Sequence, residues 1–165
     1  MSDIRIGFSR EMARSVLKRY EVSIPPVSPE NIASAEGLEV RVINTWPSRI
    51  DGLLLRESRL VGVNGNHSRL RRRFSLAHEL GHWFLRHESS LDENEVTIDN
   101  PPAEDGDRYR AQEGEANEFA GELLAPLHML KDALKKTKDA EALGKLFDIS
   151  VDALWVRIVR HNLLK

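Results

Sequence analysis

The 165-residue chain has no cysteine, few aromatic residues (6%) and no long apolar run. Without cysteine there is no disulfide scaffold, thiolate-bound zinc, iron–sulfur cluster or thiol nucleophile, and any metal must be held by nitrogen and oxygen. No stretch approaches the roughly 20 apolar residues of a membrane span, and Met1 to Arg10 lacks the charged start and apolar core of a secretion signal. The expectation is a soluble cytoplasmic protein with no membrane partner. An excess of either charge is missing too: 24 Lys and Arg against 26 Asp and Glu leave −2, far from the basic footprint of a nucleic-acid binder, so no direct nucleic-acid binding is expected. The length suits one domain that buries its core unaided, so a metal found here should serve chemistry rather than folding.

Apolar residues recur at helical spacing from Glu11 to Tyr20 and stop before Ile24-Pro25-Pro26, which predicts a first helix. Ser28-Pro29-Glu30 offers an N-cap and a proline at the first helical position for a short helix through Ala35, closed by Gly37. Leu38 to Val42, Gly52 to Leu55 and Leu60 to Val63 read as the strands of a small three-stranded sheet. A buried helix is expected from Ser68 to about His87, then a long loop from Glu88 to Asp107 with eight acidic residues. Further helices follow at about Asp107 to Leu124, Leu127 to Lys136, Ala140 to Phe147 and Val151 to His161. No repeat or linker divides the chain; residues 1–130 read as the core and 131–165 as a helical extension packed on it.

His78-Glu79-Leu80-Gly81-His82 is an H-E-x-x-H run inside the predicted buried helix. Positions i and i+4 project from one helical face about 6 Å apart, so both imidazoles can reach one ion. Glu79 comes up beside that ion, where its carboxylate can take a proton from a water. Two histidines and a glutamate on an apolar helix would otherwise each cost burial energy. A catalytic zinc also needs a third protein ligand. The H-E-x-x-H-x-x-G-x-x-H continuation fails, because Leu85 and Glu88 stand where Gly and His are required and His87 is one residue out of register. A glutamate from a second helix remains, and residues 113–120 supply several. Glu113 is expected to face inward with Asn117 one turn on, where it can accept from a ligating histidine and fix its tautomer. Ala116 and Ala120 should let this helix pack closely against Gly81, while Glu115 and Glu118 are expected to be solvated on other faces.

The run Arg73 to His82, followed by Glu113, Glu115, Ala116, Asn117, Phe119, Ala120, Glu122 to Leu124 and Pro126, resembles the ImmA/IrrE family of zinc metallopeptidases. Pro25-Pro26-Val27, Gly52 and Val61 to Asn64 extend the likeness over about residues 8 to 130. The resemblance implies an α+β minimal zincin fold, a zinc ion (Zn2+) held by His78, His82 and Glu113, and Glu79 as catalytic base. It also implies a protein substrate, typically a helix-turn-helix repressor of the Xre type whose cleavage derepresses stress-response or mobile-element genes. Ser75 and Ala125 depart from the Thr and Met common in that family, away from the chemistry.

Other features carry weaker expectations. Tyr109, four residues before Glu113, is a candidate catalytic donor to a developing oxyanion, as is His67, although a packing role is commoner for either. The strand Leu60 to Asn64 is expected to run along the cleft as a free edge, with Val61, Val63 and Asn64 binding an extended substrate through main-chain hydrogen bonds. Arg69, Arg71, Arg72 and Arg73 crowd a helix N-terminus that disfavours cations, and the acidic loop is the expected partner. Residues 140–164 have helix-turn-helix spacing, but Asp152 and Trp155 stand where base-reading residues are wanted, so partner docking is favoured over DNA contact. Endopeptidase activity is the expected function. The alternative is a non-catalytic regulatory module or toxin–antitoxin component that binds a repressor or antitoxin, though it would have no use for Glu79.

Overall fold

Capping chemistry and apolar periodicity place the first elements of the computed structural model, which describes residues 4–87 and 106–165. Helix α1 (Ile6–Arg19) turns Ala13, Val16 and Leu17 into the core. Its start lies earlier than periodicity suggests, because the Arg5 backbone N–H donates to the Glu115 carboxylate at 3.1 Å, a partner 110 residues away. Helix α2 (Pro29–Ala35) is capped by Ser28 Oγ, which accepts from Asn31 N–H at 3.1 Å, and gives way to Gly37 at φ 74°.

Three strands follow: β1 (Glu39–Ile43), β2 (Gly52–Leu55) and β3 (Leu60–Asn64). The sheet order is β1-β3-β2, with β3 parallel to β1 and antiparallel to β2. This overturns the expectation that β3 is a free edge. Val61 faces Val40 on one side and Leu54 on the other, so its strand's pairing capacity is spent inside the sheet. Val61, Val63 and Asn64 are buried and offer nothing to a substrate. The Asn64 amide donates to the carbonyls of Pro47 at 2.9 Å and Ile50 at 2.7 Å, and its oxygen accepts from Asn66 N–H at 2.9 Å. It staples the β1–β2 loop. Gly62 lies under Trp46, where a Cβ would come within 2.6 Å of the indole.

Helix α3 (Arg69–Phe84) begins with Ser68 accepting from Arg71 N–H and packs Leu76, Ala77 and Leu80 inward. Its cationic first turn finds other partners than the expected loop, most of which (residues 88–105) lies outside the described residues. Arg69 pairs with Asp148, Arg71 with Asp51 at 2.7 Å, Arg72 donates to the carbonyls of His67 and Gly65, and buried Arg73 donates to those of Asp148 and Val27. At the other end Arg56 donates to the His82 carbonyl at 2.7 Å, satisfying the last turn of the helix.

Helix α4 (Gly106–Leu124) crosses α3, and α5 (Leu127–Lys136), α6 (Ala140–Phe147) and α7 (Val151–Arg160) complete an α+β fold with a small mixed sheet, that of a minimal zincin. No described helix is long and apolar enough to cross a membrane. Ala116, Phe119, Ala120 and Leu123 of α4 are fully buried. The opposite face is charged and equally buried: Glu118 and Glu122 receive Arg157 from α7, and Arg14 of α1 reaches Glu122 at 2.8 Å. Glu115 and Glu118 are therefore not solvated as their spacing suggested.

The α3–α4 crossing is set by Gly81, whose added Cβ would lie 3.0 Å from both the Cα and the carbonyl oxygen of Ala116. Backbone cannot step aside as a side chain can. Gly81→Leu should force the helices apart, lower stability by about 3 kcal/mol and weaken metal uptake at the residues described below, read by denaturant unfolding and chelator competition.

Candidate metal centre

Helical geometry brings His78 and His82 to one face of α3, one turn apart, and the close crossing at Gly81 carries Glu113 of α4 up to them. The Nε2 atoms of the two histidines are 3.0 Å apart. Glu113 Oε2 lies 3.1 Å from His78 Nε2, and Oε1 lies 3.0 Å from His82 Nε2. Among the described residues this is the one group of three such ligands converging on a common point, with all its ligand atoms within 4.8 Å of one another.

The outer nitrogens explain why that point suits a cation. His78 Nδ1–H donates to Asn117 Oδ1 at 2.8 Å, in the geometry expected of Asn117. His82 Nδ1 lies 2.8 Å from Nδ1 of His87. With protons on the Nδ1 side of both rings, two bare Nε2 lone pairs and a carboxylate face one another with no N–H between them. Such a set of acceptors is satisfied by a metal ion, and three nitrogen and oxygen ligands match a catalytic site that keeps a position open.

The charges respond to the same crowding. Burial opposes a charge on His78, but the Glu113 carboxylate facing its Nε2 wins and raises its pKa above the ordinary histidine value. Burial also works against the Glu113 carboxylate, yet the two imidazoles hold its pKa far below the usual range. Both shifts favour a positive centre beside a carboxylate.

Glu79 is buried, and desolvation pushes its pKa up against the pull of His82 and His78. Its carboxylate rests on β2: a Cβ at Gly52 would come within 2.9 Å of Glu79 Oε1 and 3.3 Å of the Gly62 carbonyl. Glycine at 52 is what lets strand and carboxylate coexist. A cleft of about 530 Å³ opens here, lined by His78, Glu79, Glu113 and Asn117 together with Ile50, Asp51 and Gly52. Tyr109 lines it too, with its hydroxyl pKa raised by burial and then by the charges of Glu113 and Glu79, so it stays a proton donor at neutral pH. His67 is absent from the lining; its Nε2 donates to the Ser48 carbonyl at 2.8 Å. The strand bordering the cleft is β2, an edge of the sheet, and not β3.

Sequence reasoning places Gly52 only within the family likeness and assigns neither it nor His87 a role at the site. A glycine at a strand start carries no mark of the carboxylate above it. His87 reads in the sequence only as a ligand out of register, and a histidine five residues after His82 gives no periodic signal, because the chain leaves the helix at Leu85 and turns through Arg86 at φ 54°.

Residues 33–159 match the family model described as the IrrE N-terminal-like domain, a peptidase family. No curated protein matches the chain significantly. Among solved structures it is similar to a Mycobacterium tuberculosis transcriptional regulator, with a TM-score of 0.68 and 19% identity over 92% of this chain and 46% of that one. The chain thus spans about half the length of that regulator, and likeness at this identity is likeness of fold.

Purified protein should hold about one divalent ion per chain, and a His78→Ala, His82→Ala double variant should hold none, as read by elemental analysis. Gly52→Ala should retain the ion and the fold while displacing the Glu79 carboxylate. Peptide cleavage should then drop at least tenfold with metal content unchanged.

Proposed function

The chain belongs to the IrrE N-terminal-like domain family, and from that premise we propose that it is a zinc-dependent endopeptidase acting inside the cell on a protein substrate, a helix-turn-helix repressor of the Xre type. The observation that carries the reading is the convergence of His78, His82 and Glu113 with the Glu79 carboxylate held beside them against Gly52. A module that only bound a partner would gain nothing from burying Glu79, whose desolvation is a cost.

When bound by His78, His82 and Glu113, zinc supplies Lewis-acid activation of water and of the scissile carbonyl. The chain's own residues do the rest. Glu79 takes the proton from the attacking water and delivers it to the leaving amine; a carboxylate whose pKa is raised by burial is better matched to both transfers near neutral pH. Tyr109, kept protonated, donates to the oxygen on which charge develops. Asn117 holds the His78 ring. The edge of β2, unpaired among the described residues and bordering the cleft, aligns the substrate main chain by strand addition, which asks for an extended backbone rather than a particular sequence.

The repressor as substrate rests on the family resemblance of the double motif. Direct nucleic-acid binding is not part of the reading: Asp152 opens α7, and its exposed face presents Trp155, Val156 and Val159, which suit a protein surface better than base edges.

Glu79→Gln keeps size and shape and removes only the proton acceptor. Cleavage of the repressor encoded beside the gene should fall by a factor of about 10² to 10⁴, with zinc content, melting temperature and substrate affinity near those of the wild type. Full activity in this variant would overturn the peptidase reading.

A further inference from the structure

The two histidines of the site are oriented by different devices. His78 leans on a single amide, Asn117. His82 leans on a chain of three residues that leaves the cleft altogether, and its hydrogen-bond order can be read from its far end. Arg5 donates to Glu115 from Nε at 3.0 Å, from a terminal nitrogen at 2.8 Å and from its backbone N–H at 3.1 Å. The Glu115 carboxylate, buried and paired with the Arg5 guanidinium at 2.8 Å, faces three N–H donors and so serves as acceptor. His87 Nε2, 3.0 Å from Glu115 Oε2, must therefore carry the hydrogen. A neutral imidazole has one N–H, which leaves His87 Nδ1 bare as an acceptor. The atom facing it at 2.8 Å is His82 Nδ1, which must then donate. Once His82 carries its proton on Nδ1, Nε2 is the bare nitrogen, and Nε2 is the atom beside Glu113.

We infer that Arg5, Glu115 and His87 form an ordered hydrogen-bond relay that fixes the His82 tautomer with Nε2 open to a metal, making His87 a positioning residue for metal capture. The inference builds on the reading of His82 as a ligand. His87 and Glu115 are each buried to within 5% of full exclusion from solvent, so no water replaces a lost partner cheaply. Arg5 is more than half exposed and is not part of the cleft lining, so its influence on the site runs through the relay.

The test pairs zinc affinity, measured by competition with a chromogenic chelator, with imidazole nitrogen spectra of the metal-free protein at mildly alkaline pH. Wild type should show His82 as the Nδ1–H tautomer. His87→Leu should lose that preference and bind zinc roughly 10- to 100-fold more weakly. His87→Gln, which keeps one acceptor and one donor, should restore most of the affinity. Arg5→Ala should weaken zinc binding several-fold in the wild-type background and leave it unchanged in the His87→Leu background, because the link is already broken. Should His87→Leu fail to fold, the Gln and Arg5 variants decide alone, with affinity losses expected for Arg5→Ala and not for Gln. Unchanged zinc affinity and an unchanged His82 tautomer in the relay variants would overturn the inference, as would equal Arg5→Ala effects in both backgrounds. A wild-type chain that took up no zinc would overturn the metal reading instead, while the nitrogen spectra would still decide the tautomer.

Discussion

Everything at the centre hangs on the contact between Gly81 and Ala116. Two helices ordinarily pack 8–10 Å axis to axis, with side chains between them. Here one helix presents no side chain and the other a methyl group, and backbone meets backbone. That closeness lets the short reach of a glutamate, Glu113, span from α4 to two imidazoles on α3. It also fixes the angular relation of the helices, so Asn117, one turn along from Glu113, meets the outer nitrogen of His78.

Around that contact the chain spends its polar groups in an uneven pattern. The ligand side of α4 is crowded with acceptors and poor in donors, and the strand side of α3 holds a buried carboxylate against a bare glycine backbone. Both arrangements are unfavourable alone, and both are maintained by neighbours bonded on their far sides. Consistency between local preference and fold breaks down most at such a point, as expected where chemistry rather than stability has set the residues.

The short-range part of this architecture was legible in the sequence. Ser28 and Pro29 announced α2, Pro126 ended α4, and His78, Glu79 and His82 declared one helical face. Glu113 and Asn117 could be picked because they share a face with small alanines. Pairings between distant segments were not legible. The strand run Leu60 to Asn64 has the same composition whether it lies at an edge or between two neighbours, and its central place follows from β1 returning parallel to it. Glu115 and Glu118 have the spacing of solvated residues, and their burial depends on Arg5, Arg157 and Arg160 arriving from both ends of the chain. The arginines of the first turn of α3 called for acidic partners and pointed to the loop from Glu88, while among the described residues Asp51 and Asp148 supply them.

The doubly charged flank of α4 also bears on how this chain can change over generations. Glu118 and Glu122 sit within 1% of complete burial on the helix that carries Glu113, and α7 brings the guanidinium that neutralises them. Without α7, Arg14 of α1 would be left alone on Glu122 and Glu118 would lose Arg157 and Arg160, and a buried carboxylate stripped of its cation costs several kcal/mol. A recombination event that exchanged α7 for another helix would therefore be tolerated only if the newcomer placed an arginine at the same depth, or if Glu118 were replaced in step. The C-terminal helix is inherited together with the ligand helix as a matched pair, though it contributes no atom to the metal centre.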